Sequence, residues 1–319
     1  MRLFRVLAVL FFAAQAAPAG ATPPPAAAAA TPAAAKSTPA VFTGVGRIVA
    51  VGDIHGDYEK FVAVLKLCRI TDAQGRWIAG KTHLVQTGDV LGRGSDSKRA
   101  MDLLMDLEEQ AAKAGGRVHA LIGNHEFINM AGIWLFVSDA ELAAFGEGPR
   151  NAPLGKPLTG DFPHYREAFS PSGRYGKWIS GHNVIVRING TLFMHGGLSP
   201  NYQDKDIVQI NETLRAELRR ERDIKTGIGE DQTGPIAYRG LSEAAPAAEI
   251  EAKVQAVLAA QKARRIVVAH TVQKNGIALL AGDRLALIDV GLSRAMNDAP
   301  PTCLVLEPTP TGDKVTIVK

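Results

Sequence analysis

Short continuous β-branched runs alternate along this chain with stretches whose apolar residues recur at helical spacing. Short β-branched runs predict strands over Ile48–Val51, 82–87, 118–122 and 265–269, and a hairpin from 183–188 and 191–194 turning at Asn189-Gly190. Between them, helical spacing predicts helices over 58–67, 97–114 and 250–262. In the second helix Ala100, Leu103, Leu104, Leu107 and Ala111 share one face, and in the third Ile250, Val254, Val257 and Leu258 do. Two late hairpins are expected around Gly282-Asp283 and Gly312-Asp313. Alternating strands and helices with no fixed repeat are the grammar of an α/β fold.

The first forty residues follow another pattern. Arg2 and Arg5 precede an apolar run over 6–14, and small residues continue to Ala21. That is the layout of a secretory signal over residues 1–21, too short for a stable membrane span. Residues 22–43 are dominated by Ala, Pro and Thr and read as a linker, leaving 44–319 as the catalytic domain. A secreted, periplasmic location is the expectation. Losing Arg2 and Arg5 takes the formal charge from +4 to +2. Arg219, Arg220 and Arg222 alternate with Glu217, Glu221 and Asp223, the pattern of a solvated helix face. Nothing here calls for a nucleic-acid partner. The two cysteines, Cys68 and Cys303, read as buried inert thiols, with a disulfide permitted by an oxidising compartment.

Chemistry concentrates where the strands end. They run into GDIHGD, GDVLGRG, GNHE, HGG and finally His270-Thr271. Ligands of open α/β sheets gather at these carboxyl ends, and glycine lets the backbone turn sharply there. Asp53 and His55 stand two apart and can reach one ion. Asp89 has two oxygens and can bridge two ions, while Asn124, His195 and His270 complete a second site. Mixed imidazole and oxygen donors suit Mn, Fe or Zn rather than calcium. His125 lies beside a ligand without being needed as one, so it can serve as an acid. The planar fork of Arg93 suits phosphate oxygens.

These motifs, in this order, resemble the calcineurin-like metallophosphoesterases of the phosphoprotein phosphatase branch. FMHGGLSP, GPIAYRG and LIDVGLSR resemble the bacterial Shewanella-like phosphatases most, and the resemblance covers roughly residues 46–294. It implies a four-layer α/β sandwich, two mixed β-sheets flanked by helices, with two metal ions at its heart. It implies metal-dependent hydrolysis of phosphomonoesters on phosphorylated protein or small molecules. Carried over by position, Asp53, His55 and Asp89 match the first metal's ligands, and Asp89, Asn124, His195 and His270 the second's. His125 matches the catalytic acid, and Arg93, Asn124 and Arg239 match substrate-binding positions. One departure stands out. The family's DRG is GRG here, so Gly92 replaces an aspartate that orients the catalytic histidine. Slowed hydrolysis follows, unless Asp96, four residues on, reaches back. Two rivals are a nucleotide or dinucleoside polyphosphate hydrolase and a pseudo-phosphatase that only binds phosphorylated ligands.

Other residues have plainer readings. Asp57 is expected to cap a helix and Glu126 to open one. His83, His119, His164 and His182 read as structural, and Trp134, Phe136, Leu142 and Phe145 as helix packing. Asp289, in LIDVG, is a candidate support for His270 or the substrate pocket.

Overall fold

The structure is a computed structural model that describes residues 38–220, 227–310 and 312–319. The expected signal, most of the linker and Arg222 lie outside the described residues. The strands are β1 (Val41–Phe42), β2 (Ile48–Val51), β3 (His83–Gln86), β4 (Arg117–Ala120), β5 (Ile185–Ile188), β6 (Thr191–Met194), β7 (Arg265–Val268), β8 (Ala278–Leu280), β9 (Leu285–Leu287), β10 (Cys303–Thr309) and β11 (Gly312–Val318). The helices are α1 (Tyr58–Leu67), α2 (Ser97–Lys113), α3 (Asn124–Met130), α4 (Asp139–Ala144), α5 (Pro163–Phe169), α6 (Arg174–Ile179), α7 (Ile207–Leu218) and α8 (Ala247–Gln261).

Two mixed sheets result. One runs β1-β5-β6-β7-β9-β8 and the other β11-β10-β2-β3-β4. Their facing sides form a buried apolar layer. Ile48 and Ala50 of β2, Val85, Leu304 and Leu306 meet Val186, Ile188, Phe193, Val267 and Ala286 across it. The alternate residues point outward: Val49, Val51 and Leu84 onto α1 and α2, and Leu192, Met194 and Ile266 onto the helices over the other sheet. Strands buried on both faces explain why these runs are almost wholly apolar. The four-layer arrangement expected from the sequence is the one found.

Three features differ from the sequence reading. Residues 38–43, placed in the linker by composition, are held to the fold. Thr38 Oγ1 donates to the Gly181 carbonyl, and β1 pairs in parallel with β5. Cys68 and Cys303 are not free thiols: they form a disulfide between the end of α1 and the start of β10. Their 235-residue separation hides this from any local pattern. The β10–β11 hairpin closes with Thr309 opposite Gly312, so its turn lies just before Gly312-Asp313.

Candidate metal centre

Strand ends converge at the site, two of them through backbone hydrogen bonds. The Asp89 carbonyl accepts from the amides of Ile54 and His55, and Val90 O accepts from Gly56. This joins the loop after β2 to the loop after β3. Glycine at 123 is required by close approach, since a Cβ there would sit 2.3 Å from Asp89 Oδ1. The His125 amide then donates to that oxygen at 2.9 Å. Four site residues, His55, Asp89, Arg93 and His270, hold positive φ without being glycine. Such backbone persists only where the surrounding structure enforces it, and it clusters at functional sites.

Asp53, His55, Asp89, His125 and His195 are buried together. The donor atoms of His55, Asp89 and His125 form one close cluster, and those of Asp89, His195 and His270 a second. Asp89 is common to both. Asp53 lies between them, 3.7 Å from His55 Nε2 through one oxygen and 3.7 Å from His195 Nδ1 through the other. Asn124 opens α3 with its Oδ1 3.0 Å from His195 Nε2. All six expected ligands therefore meet. His125 joins them, its Nε2 3.9 Å from Asp89 Oδ2.

The donor chemistry fits cations. His195 Nδ1 faces the Thr87 carbonyl at 3.0 Å, so that nitrogen carries a hydrogen. Its Nε2 then points at two acceptors, Asn124 Oδ1 and, at 3.4 Å, Asp89 Oδ2. Burial would lower His195, but Asp89 outweighs it and raises its pKa, so a proton or a metal ion on Nε2 would meet both acceptors. His55 is held the same way, Nδ1 on the Leu91 carbonyl and Nε2 toward Asp53 and Asp89. Burial lowers the pKa of His55 and His270, leaving them neutral as ligands must be. Burial, then Asp289 and Asp89, raises Asp53 well above the carboxylate range. Burial would raise Asp89 too, but the imidazoles of His195, His125 and His55 outweigh it and hold it well below. Crowded carboxylates with imidazole nitrogens turned toward them are what added positive charge would relieve.

The remaining expectations divide. Arg93 lines a cleft of about 380 Å³ with Asp57, Ser138 and Arg294, and none of the six expected ligands lines it. Its Nε is buried without a hydrogen-bond partner. Arg239 is close by, but its Nη1 donates to the His270 carbonyl at 2.6 Å and to Thr271 Oγ1, so it braces the ligand loop. Gly92 has φ +76°, and a Cβ there would stand 2.5 Å from His125 Nδ1. That nitrogen is buried and has no hydrogen-bond partner. Asp96 does not compensate, because its carboxylate takes Ser95 and Arg99.

Two buried acids were missed as positioning groups. Glu126 accepts from the amides of Gly123, Asp89 and Val90 at 2.8 Å and of Leu91 at 3.3 Å. It ties α3 to the GDVLGRG loop. Its place as the last residue of GNHE was the only signal for it. Glu141 accepts from Ser97 Oγ at 2.9 Å, and Ser97 Oγ accepts from the Gly92 amide. On its other side Tyr165 Oη lies 2.8 Å from Glu141 and 2.7 Å from Asn129 Oδ1, while Asn129 Nδ2 donates to the His125 carbonyl. A polar chain thus runs from the Gly92 backbone to the His125 backbone. Asp57 caps α1 as expected. His83 and His119 bond each other, and His182 bonds Glu108. Trp134, Leu142 and Phe145 pack internally, but Phe136 faces the site.

A fold of two packed sheets, with metal-type donors at its strand ends, defines a metal-assisted hydrolase site. The calcineurin-like phosphoesterase model matches residues 46–274, and the chain belongs to that family. An uncharacterised protein of Schizosaccharomyces pombe is 34% identical over 259 residues, covering 78% of this chain and 74% of that protein. Shewanella-like protein phosphatase 2 of Arabidopsis thaliana is 27% identical, covering 81% and 74%. Among solved structures, the cold-active protein-tyrosine phosphatase of a psychrophilic Shewanella species superposes with a TM-score of 0.72 at 26% identity, over 88% of this chain and 83% of that one. The chain is a phosphoester-hydrolysing enzyme.

Proposed function

We propose that this enzyme is a dinuclear-metal phosphomonoesterase acting on phosphorylated tyrosine, or serine and threonine, in proteins. The observation that carries this reading is the pair of donor clusters that share Asp89. The names of the similar phosphatases point the same way on substrate. Asp53, His55 and Asp89 would hold one ion, and Asp89, Asn124, His195 and His270 the other. Mn, Fe and Zn all suit these donors. Ions bound there would supply Lewis-acid activation of water and of the phosphoryl oxygens.

The chain's own residues do the rest. The guanidinium of Arg93 holds phosphate oxygens and, with Asn124, sets the ester bond in line for displacement. His125 Nε2 gives its proton to the leaving oxygen. Burial, ahead of the opposing charge of Asp89, drives His125 down to about 3, and no carboxylate contacts its other nitrogen. An acid with no partner on Nδ1 to orient it favours weak hydrolysis as the second reading. A periplasmic location accords with the disulfide and with the signal-like start of the chain.

The test is a metal count on purified protein, followed by turnover of phosphotyrosine peptide, phosphoserine peptide and diadenosine tetraphosphate side by side. Two ions per chain and preference for a phosphopeptide are expected. Preferential cleavage of the dinucleotide, or an inert metal-loaded enzyme, would sink the reading.

A further inference from the structure

The proposed acid and the phosphate arginine share one neighbour that no motif contains. The Phe136 ring lies 5.0 Å from the His125 ring, tilted by 32°. The Arg93 guanidinium carbon sits 4.4 Å over the same aromatic ring. The Phe136 carbonyl accepts from the Arg93 amide at 2.6 Å, at a residue whose φ is +71°. The space beside Gly92 is bounded by the same two groups, since a Cβ there meets His125 Nδ1 at 2.5 Å and Phe136 Cβ at 3.4 Å.

The segment carrying Phe136 is itself anchored. The Arg150 guanidinium donates to the carbonyls on both sides of it, Leu135 and Val137, and to those of Ala152, Pro153 and Lys156. Ser138 Oγ donates to the Gly94 carbonyl, closing the segment onto the GDVLGRG loop. Neither His125 Nδ1 nor Arg93 Nε has a hydrogen bond to orient its side chain. What both share instead is the Phe136 ring, while His125 also meets the His55 ring at 4.6 Å.

We propose that Phe136 is a positioning residue that holds His125 and Arg93 at once, replacing by ring contact the polar tether that Gly92 cannot provide. The quadrupole of its face attracts the guanidinium, and its bulk restricts the imidazole that already fills the space beside Gly92. This rests on the phosphatase reading for His125, but the Arg93 half does not depend on turnover.

Full-length chain loaded with manganese is compared with Phe136→Ala, Phe136→Leu and Phe136→Tyr. Calorimetry reads the affinity for inorganic phosphate, and steady-state kinetics on a phosphotyrosine peptide separates kcat from KM. Bound metal is counted for each. Phe136→Ala is expected to keep its metals, bind phosphate about fivefold more weakly and lose kcat on the order of tenfold. Phe136→Leu, apolar but without a π face, should match it in phosphate affinity, and Phe136→Tyr should stay within about twofold of wild type in both readouts. Unchanged phosphate affinity in Phe136→Ala overturns the proposal. Loss of metal in that variant also overturns it, by making Phe136 a structural residue. If wild type binds phosphate yet hydrolyses no peptide, the functional reading fails while the phosphate comparison still decides the Arg93 half.

Discussion

At residue scale, the site turns on what surrounds one imidazole. His125 Nδ1 is buried with no partner, and the nearest backbone position, Gly92, offers only hydrogen. Any side chain at 92 must accept φ +76° and displace the ring. Gly92→Ala and Gly92→Asp therefore share a steric cost, and only the second brings an acceptor to Nδ1. Gly92→Asp is expected to outpace Gly92→Ala on a phosphotyrosine peptide by on the order of tenfold. Equal rates would show that the orphan nitrogen does not limit turnover. Glu126 bears on the metals instead. Glu126→Ala strips four amides of a buried acceptor and should weaken metal affinity about 10–100-fold, read by equilibrium dialysis, with Glu126→Gln recovering part of it.

At the scale of elements, α4 sends Glu141 into a fully buried pocket between α2, α3 and α5. Tyr165 has one hydroxyl hydrogen and two acceptors in reach, Glu141 and Asn129. Asn129 Oδ1 can only accept, so a protonated Glu141 that donates to Tyr165 Oη satisfies all three groups. Burial accordingly raises Glu141 from 4.5 to about 7. The unfolded chain releases this proton near 4.5 and the folded chain near 7, so between them the folded state binds more protons. Its contribution to stability is complete below the lower value and is lost as pH rises through the upper one. Glu141→Gln should flatten this part of the dependence. The difference in melting temperature between variant and wild type is expected to shift in the variant's favour as pH rises from 5 to about 8. A difference that does not vary with pH would mean Glu141 is ionised throughout. The main helices were legible in the sequence because each buries a periodic face, and the main strands because each is a short apolar run that ends in a polar turn. Glu141, Asn129 and Tyr165 were not, because each belongs to a separate short helix and their meeting leaves no trace in spacing. β1 was masked by its neighbourhood: two residues of strand follow a long Ala/Pro run.

Across the whole molecule, six metal-type donors from distant loops meet because every one follows a strand of the two packed sheets. Order and strand-end position made that set readable in the sequence. Phe136 escaped because aromatic residues in such a segment usually pack internally, as Trp134 and Phe145 do. The cysteine pair escaped because nothing local joins positions 235 apart. That bond spans most of the chain, and Cys303→Ser, or reduction of wild type, should cost roughly 2–4 kcal/mol, read as a lower denaturant midpoint. An unchanged midpoint would show that the crosslink leaves the unfolded ensemble unconstrained. The crosslink also decides what proteolysis can release. Any single cut between residues 68 and 303 yields two fragments with one cysteine each, so they migrate as one species until a reductant is added. Asp53 and His55 stay with the N-terminal fragment and His270 and Asp289 go with the C-terminal one for any cut before residue 270. A nicked molecule therefore keeps both halves of its metal centre on one covalent frame.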